Sequence, residues 1–370
     1  MTDIVRLFSL FVDARGLRAE FPVLARLAYL NAGTDGPLPA SAARAASDEL
    51  QRELSDGRSA AHFARRKELT EELRGAYATA LGCAAGDVAL TTCTTEGIAL
   101  TIGGLQLEQG DEILTSDEEH PGLLGALSAA RALRGVRVRE VPLPRIAEEV
   151  GAQTRLVACS HVGWVSGLKA PAELRELELP VLLDGAQGVG AVEVDLEALG
   201  CDAYAGAGQK WLCGPDGTGM LYVSPALRER LEVSRRGYGN LADPDAGLDA
   251  ELHEDARRFD SLSLSAETLA CALASTRVLE SAGWPSVHER GRTLAGRLAE
   301  LLEEGGREPA PRDDTTLVSF TSPDPEIERE RLAEQGIILR NIPSRPWLRA
   351  SVGAWNDEDD LDRLLRALSS

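Results

Sequence analysis

Short apolar runs alternate with longer helical patterns through the first two thirds of the chain. The stretches between them at 95–107, 121–133 and 171–178 have the spacing of helices. This alternation predicts an α/β fold with a mostly parallel seven-stranded sheet covered by helices on both faces. The last run follows its predecessor without an intervening helix, so we expect that strand to be antiparallel. The seven runs lie at 88–91, 112–115, 136–141, 155–160, 180–184, 202–206 and 219–224.

A different pattern begins near residue 236. Two long helical patterns are followed there by shorter strands and helices, which is typical of a smaller α+β domain. A chain of 370 residues suits two domains, and we assign 21–235 to a large domain and 1–20 with 236–370 to a small one. The small domain's helices are expected at 265–281, 285–304, 326–335 and from 356, and its strands at 316–321, 337–340 and 348–352.

Charge and cysteine spacing exclude several classes of function. The net charge of −20, from 39 Lys+Arg against 59 Asp+Glu, argues against nucleic acid or an anionic membrane as a partner. The apolar run at 4–12 contains Arg6 and is followed by Asp13, so we expect neither a signal peptide nor a membrane span, and a cytoplasmic location. The six cysteines are scattered singly, and no HExxH, Walker loop or complete dinucleotide fingerprint occurs, so no metal is expected.

Lys210 lies among glycines and apolar residues in the stretch DAYAGAGQKWLCGPDGTGMLYV at 202–223, with no acidic residue nearer than Asp216. A lysine in such surroundings is poorly placed for a surface salt bridge. Burial would lower its pKa and make it a nucleophile toward a carbonyl. The alternative is a lysine whose stem lies over a glycine-rich loop.

Residues directly after the apolar runs are candidates for ligand contact, because an open α/β sheet binds ligands beyond the carboxyl ends of its strands. Thr94 and Thr95 begin a predicted helix, where free backbone amides favour a phosphate, although Thr94 equally suits a helix cap. His120 precedes Pro121 at another predicted helix start. It either stacks on an aromatic ligand or caps the helix.

Asp184 ends a wholly apolar strand, where a carboxylate needs a positive or hydrogen-bonding partner. A protonated ring nitrogen is one such partner, and the backbone amides of the following turn are the alternative. Gln187, three residues on, would reach a phenolate on the same ring. Trp164, after the run at 155–160, either lines a substrate pocket or covers the core.

The order Asp184, Gln187 and Lys210, with threonines upstream, resembles the class V aminotransferase family of fold type I pyridoxal-phosphate (PLP) enzymes. The resemblance extends from YLNAGTDGPLP at 29–39 to WLRASVGAWNDEDDLDRLL at 347–365 and is most specific in DGAQ and QKWLCGPDGTGMLYV. That family includes cysteine desulfurases, selenocysteine lyases and isopenicillin N epimerase. The resemblance implies PLP as cofactor, a small amino acid as substrate, and a homodimer with the active site at its interface.

The resemblance also implies a role for each candidate residue. Lys210 would form the internal aldimine, Asp184 would pair with the pyridinium nitrogen, and Gln187 would contact the ring hydroxyl. His120 would stack on the ring. The other assignments are Thr94, Thr95 and Gln209 to cofactor binding, Ser263 to the phosphate of the neighbouring subunit, and Arg349, Asn31 and Trp164 to substrate binding, with Arg349 as the carboxylate clamp.

Three departures from the family pattern narrow the expected reaction. Many relatives carry Ser-x-His-Lys where this chain has Ala-Gly-Gln-Lys ending at Lys210, and Trp164 replaces an asparagine of the desulfurases. No cysteine lies between Gly336 and Arg349, so sulfur transfer through an enzyme persulfide is not expected. We expect an external aldimine and a carbanion that resolves by β-elimination of the carbon–sulfur lyase type, ahead of transamination and then epimerisation. A PLP-fold protein without catalysis is the remaining alternative.

Overall fold

The computed structural model describes residues 15–261 and 263–369. The apolar run at 4–12, and the expectations that rest on it, lie outside these residues. Within them, no helix combines the length and the apolar character needed to cross a membrane. Within the same residues, no three His, Cys, Asp or Glu side chains are grouped so that they could hold a metal ion.

The strands and helices follow the predicted order closely. The strands are β1 (Ala28–Tyr29), β2 (Val88–Thr91), β3 (Glu112–Ser116), β4 (Arg137–Val141), β5 (Thr154–Ser160), β6 (Val181–Asp184), β7 (Ala203–Ala207), β8 (Gly219–Val223), β9 (Leu317–Thr321), β10 (Ile337–Ile338), β11 (Arg340–Asn341) and β12 (Trp347–Ser351). The helices are α1 (Ala40–Asp56), α2 (Ala60–Leu81), α3 (Thr94–Gly104), α4 (Pro121–Arg134), α5 (Pro225–Arg228), α6 (Ala266–Ala282), α7 (Trp284–Glu304), α8 (Pro325–Glu334) and α9 (Glu358–Leu368). The helix predicted at 171–178 is instead a short 3-10 helix, Ala172–Glu176, which begins after Pro171 and ends where Leu177 takes an extended conformation.

A mostly parallel sheet of seven strands forms the centre of the first domain, as predicted. Its order is β2-β8-β7-β6-β5-β3-β4, and β8 is antiparallel to both of its neighbours. The sheet is buried on both faces: Val181 and Leu183 of β6 pack with α2 and α6, whereas Leu182 packs with α3 and α4. Alternate side chains of each strand therefore enter different cores, which explains the continuous apolar runs.

A smaller antiparallel sheet, in the order β11-β12-β9, packs against α7, α8 and α9 around a third core. Strand β1 pairs in parallel with β10, and Ala28 and Leu30 lie in this third core. Segment 28–30, which we assigned to the large domain by sequence, thus packs with the second sheet. The domain boundaries themselves stay a prediction.

The fold directs several chain segments toward one edge of the large sheet. Strands β2, β3, β5, β6 and β7 all point the same way, so their carboxyl ends meet there. The residues that follow or end these strands include Thr94, His120, Trp164, Asp184 and Lys210.

Candidate active site

A cavity of about 220 Å³ lies at the carboxyl edge of the large sheet. Most of the residues singled out in the sequence line it together. Two other candidates, Arg349 and Asn31, adjoin it from the second sheet, while Ser263 lies elsewhere. The candidates on its wall are Thr94, Thr95, His120, Trp164, Asp184, Gln187, Gln209 and Lys210.

Lys210 lies in the turn that follows β7. Burial lowers the pKa of Lys210 to about 8; the negative charge of Asp184 opposes this shift, and the positive charge of Arg349 adds to it. Gly36 packs directly on this turn: its amide donates to the Gln209 carbonyl at 2.7 Å, and a Cβ at Gly36 would come within 2.1 Å of the Lys210 carbonyl oxygen. The turn therefore keeps a partly neutral amine at the cavity wall.

Asp184 is buried at the end of β6. One carboxylate oxygen accepts a 2.9 Å hydrogen bond from the Ala186 amide. The alternative partner expected from the sequence, a backbone amide of the following turn, is therefore present. Burial nevertheless raises the pKa of Asp184, and the nearby charge of Lys210 lowers it only in part. A cation in the cavity would therefore stabilise this carboxylate further.

Gln187 is held in one orientation by two contacts. Its Nε2 donates to the Gly33 carbonyl at 2.8 Å, and its Oε1 accepts from Trp211 Nε1 at 2.9 Å. Trp211, which the sequence reasoning did not select, thus orients the Gln187 amide so that Oε1 faces Trp211 and Nε2 faces Gly33. Its place immediately after Lys210 was the one available signal.

Thr94 is the first residue of α3. The N-cap residue is Cys93, whose side chain makes no capping hydrogen bond, so Thr94 does not cap the helix. The Thr94 hydroxyl is buried and has no hydrogen-bond partner among the described residues. An unpaired hydroxyl beside the free amides of a helix start suits an anion.

His120 is the N-cap of α4, and its Nδ1 accepts a hydrogen bond from the Gly122 amide at 3.1 Å. Its ring also faces the edge of Trp164, with 5.2 Å between ring centroids and an interplanar angle of 84°. Burial, with the charge of Lys210, lowers the pKa of His120 to about 4. The neutral ring both caps the helix and lines the cavity.

Arg349 is fully buried in the central strand of the small sheet. Its Nη1 donates to the Trp164 carbonyl at 2.7 Å, whereas Nε and Nη2 have no partner among the described residues. Burial, with the charge of Arg340, lowers the pKa of Arg349 to about 9. Asn31, bridged to Ser351 on the same strand, also has a buried side-chain oxygen without a partner. These free donors and acceptors mark a polar subsite.

Arg340 is a cavity residue that the sequence reasoning missed. Its guanidinium carbon lies 5.5 Å from the centre of the Trp164 ring, and that of Arg349 lies 6.0 Å from it. Arg340 forms no ion pair with the residues that the structure describes. Arg340 of β11 lies opposite Arg349 of β12 in the hairpin. The register of this hairpin was the signal that could have predicted Arg340 from the sequence.

Ser263 lines a separate cavity of about 480 Å³, together with Arg74 and Asp260. Arg74 donates to both carboxylate oxygens of Asp260, at 2.9 and 2.8 Å. The structure of one chain therefore does not bring Ser263 to the cavity of Lys210. Its assignment to the neighbouring subunit's phosphate stays a prediction.

Comparison with known proteins decides the family. Residues 28–364 match the family described as "Aminotransferase class-V". The chain belongs to the class V aminotransferase family. It is a PLP-dependent enzyme of fold type I, as the sequence predicted.

The proteins that the chain resembles differ in the activities for which they are named. The chain is 28% identical to isopenicillin N epimerase of Streptomyces clavuligerus over 97% of each protein. It is 33% identical to a probable cysteine desulfurase of Pseudomonas aeruginosa, covering 76% of this chain and 77% of that protein. The structure of the cystine C-S lyase C-DES with its reaction product, cysteine persulfide, matches with a TM-score of 0.89 and 28% identity, over 95% of this chain and 99% of that one.

The side chains of this class V protein fit PLP and an amino acid. The unpaired Thr94 hydroxyl at a helix start suits the phosphate, and the buried carboxylate of Asp184 suits a protonated ring nitrogen. The lowered pKa of Lys210 suits an amine that reacts with an aldehyde. The free guanidinium nitrogens of Arg349 suit a substrate carboxylate.

Proposed function

We propose that the protein is a carbon–sulfur lyase that performs β-elimination on an amino acid carrying a second carboxylate, such as cystine. The observation that carries this proposal is the pair Arg340 and Arg349, which share the Trp164 ring and form no ion pair with the described residues, although Asp35 on the cavity wall is close enough to Arg340 for their charges to interact. One arginine suffices for an α-carboxylate, so the second calls for a further anionic group. The likeness to a cystine C-S lyase supports the same substrate class.

Different residues of the cavity would bind PLP and the amino-acid substrate. Thr94 and Thr95 would hold the phosphate of PLP, and His120 would pack on its ring. Asp184 would keep a proton on the ring nitrogen, while Gln187, oriented by Trp211, would meet the ring hydroxyl. PLP, when bound, supplies the electron sink for a carbanion at the substrate Cα. Arg349 would hold the α-carboxylate, with Asn31 beside it, and Gln209 would border the cofactor.

Lys210 is the group that moves the proton. With a pKa near 8, its neutral amine is available to take the proton from the substrate Cα at neutral pH. The Cβ–S bond then breaks, and the sulfur leaves with the bonding electron pair, as a persulfide anion when the substrate is cystine. The remaining aminoacrylate takes up water and yields pyruvate and ammonia.

The absence of a cysteine between Gly336 and Arg349 supports release of the sulfur product over its transfer to that loop. Cys93 does line the cavity, next to Thr94 at the phosphate end. Because it adjoins the predicted phosphate contact, we assign it no role in the elimination.

The deciding experiment incubates the PLP-loaded protein with L-cystine and a panel of other amino acids. Pyruvate and ammonia formed without any 2-oxo acid support elimination, whereas product that requires such an acceptor means transamination. Inversion at Cα without pyruvate means epimerisation, which the full-length match to an epimerase makes the second candidate. A Lys210→Ala variant controls for reaction in the absence of the catalytic amine.

We also propose that the chain works as a homodimer. The position of Ser263, away from the cavity of Lys210, supports a contribution to a second copy's cofactor site. The same surface carries exposed Phe63 and Tyr238, which suit burial in an interface. Sedimentation equilibrium would give the assembly, and a monomer with full PLP affinity would contradict the proposal.

A further inference from the structure

The segment that carries Trp164 is fastened at both ends by two consecutive carboxylates. We call residues 160–166 the Trp164 segment. At its start, Glu119 accepts hydrogen bonds from the Ser160 amide at 2.9 Å and the Ser160 hydroxyl at 2.7 Å. At its end, Glu118 accepts from the Ser166 amide at 3.1 Å and the Ser166 hydroxyl at 2.6 Å. Four of the segment's donors are therefore used by two neighbouring side chains.

The close fit between Glu118 and the Trp164 segment depends on Gly163. A Cβ at Gly163 would lie 2.2 Å from Glu118 Oε2, so any side chain there would force the Glu118 carboxylate out of its present position. The Gly163 amide donates to the Leu168 carbonyl at 2.7 Å, so the segment is also bonded to the chain that follows it. The backbone is thus built to admit the carboxylate at this point.

Neither carboxylate has a cation in direct contact; the charge of Arg345 acts on Glu118 only from a distance. Glu119 is buried and Glu118 half-buried, yet neither forms an ion pair with the residues that the structure describes. Burial raises the pKa of both groups, that of Glu119 to about 7. Apart from the Ser116 hydroxyl that also bonds Glu119, their hydrogen bonds go to the Trp164 segment.

The opposite side of the Trp164 segment contacts the small sheet. Arg349 donates to the Trp164 carbonyl, and the Ser319 hydroxyl of β9 donates to the Val165 carbonyl. The Trp164 ring faces His120 and lies close to the guanidinium of Arg340. The segment therefore joins the carboxyl edge of the large sheet to both candidate substrate arginines.

We propose that Glu118 and Glu119 are positioning residues for substrate binding. They fix the Trp164 segment, and the carbonyl and ring of Trp164 in turn fix Arg349 and Arg340 against the cavity. Because the two carboxylates directly precede His120, one short stretch of chain aligns the cofactor side and the substrate side of the site. Neither carboxylate is among the residues that line the cavity, so we assign them no direct contact with cofactor or substrate.

The test compares Glu118→Ala, Glu119→Gln and Gly163→Ala in the PLP-loaded protein. Glycine is the probe: its dissociation constant is measured by titration calorimetry, and the cofactor absorbance is recorded in parallel. Glu118→Ala and Gly163→Ala are expected to weaken glycine binding by about tenfold or more, since each breaks charge-assisted contacts. Glu119→Gln is expected to weaken it by about threefold or more, because Ser160 donates to both Glu119 oxygens and an amide nitrogen replaces one of them. Glycine affinity unchanged in Glu119→Gln would remove Glu119 from the proposal. The cofactor absorbance is expected to stay unchanged, because the carboxylates bond the Trp164 segment and Ser116 and contact neither Lys210 nor Asp184.

Two variants separate positioning from general damage. Glu118→Gln keeps an oxygen acceptor for Ser166 and is expected to bind glycine within about threefold of the unchanged protein. Glu148→Ala removes an exposed glutamate that pairs with Arg145 at the surface and should leave binding unchanged. Glycine affinity in Glu118→Ala equal to that of the Glu148→Ala control would overturn the proposal. So would a loss of affinity that occurs only together with loss of PLP absorbance or of the folded state.

This test stands apart from the proposed lyase activity. Glycine has no sulfur leaving group, so its binding is independent of whether elimination occurs. Intact glycine binding without pyruvate from cystine would count against the lyase reaction and leave the role of Glu118 and Glu119 in place.

Discussion

The carbonyl oxygen of Trp164 accepts a 2.7 Å hydrogen bond from Nη1 of Arg349, although 185 residues separate them in the chain. This bond leaves two other guanidinium nitrogens of Arg349 buried and without a partner among the described residues. A buried cation of this kind is stabilised by a ligand that brings a carboxylate. Arg349 and its neighbour Arg340 are therefore the residues whose substitution should affect substrate binding most directly.

Arg349→Lys is expected to raise the KM for amino-acid substrates by about tenfold or more, because an ammonium cannot reproduce a forked contact with a carboxylate. The cofactor absorbance should not change. Steady-state kinetics and absorbance spectra check both points, with Arg345→Lys on the same hairpin as the matched control. An unchanged KM would contradict the role of Arg349.

Arg340→Gln is expected to discriminate between substrates. Cystine, with a distal carboxylate, should lose about tenfold in kcat/KM, whereas S-methylcysteine, which lacks that group, should lose little. The ratio of the two losses isolates the distal contact from any general effect on the site. Equal losses for both substrates would mean that Arg340 does not bind the second carboxylate.

Thr94→Val removes a hydroxyl while keeping the shape of the side chain. Because that hydroxyl has no partner within residues 15–261 and 263–369, the melting temperature of the PLP-free protein should not change. The dissociation constant for PLP should rise by about tenfold, through loss of a contact to the phosphate. Absorbance titration measures it, and Thr79→Val on the surface of α2 is the control. Unchanged PLP affinity would remove Thr94 from the phosphate site.

Lys210 gives the protein a pH dependence of known sign. Its pKa is lowered to about 8 from the ordinary 10.5, so the reactive neutral amine of the PLP-free protein appears as pH rises through about 8. The rate of PLP capture should follow that titration and level off well below pH 10. Asp184→Asn should move the midpoint lower still, because the attraction that raises this pKa is gone. A midpoint near 10.5 would show that the amine is not buried in the PLP-free protein.

Much of the fold could be predicted because its periodicity is local. Apolar residues at consecutive positions of Val181–Asp184 fill cores on both faces of the sheet, and this pattern is written in the sequence itself. The same rule placed Thr94, His120, Asp184 and Lys210 at one edge, since parallel strands share the direction of their carboxyl ends.

The residues missed by the sequence reasoning are those whose function depends on a distant partner. Trp211 matters because it orients Gln187, and Glu118 because it bonds Ser166, which lies 48 residues away. Arg340 enters the cavity through the register of a hairpin that places it opposite Arg349. None of these contacts leaves a periodic signal along the chain.

The sequence by itself determined the class of fold, the family and the strand-end residues, because burial of alternate side chains and the direction of parallel strands follow from local pattern. Only the tertiary structure decided which charges are left unpaired. The partner of the Arg349 guanidinium, whether a carboxylate, a carbonyl or none, depends on how segments from the two sheets pack together. That packing places the carbonyl and ring of Trp164 beside it, and not a carboxylate.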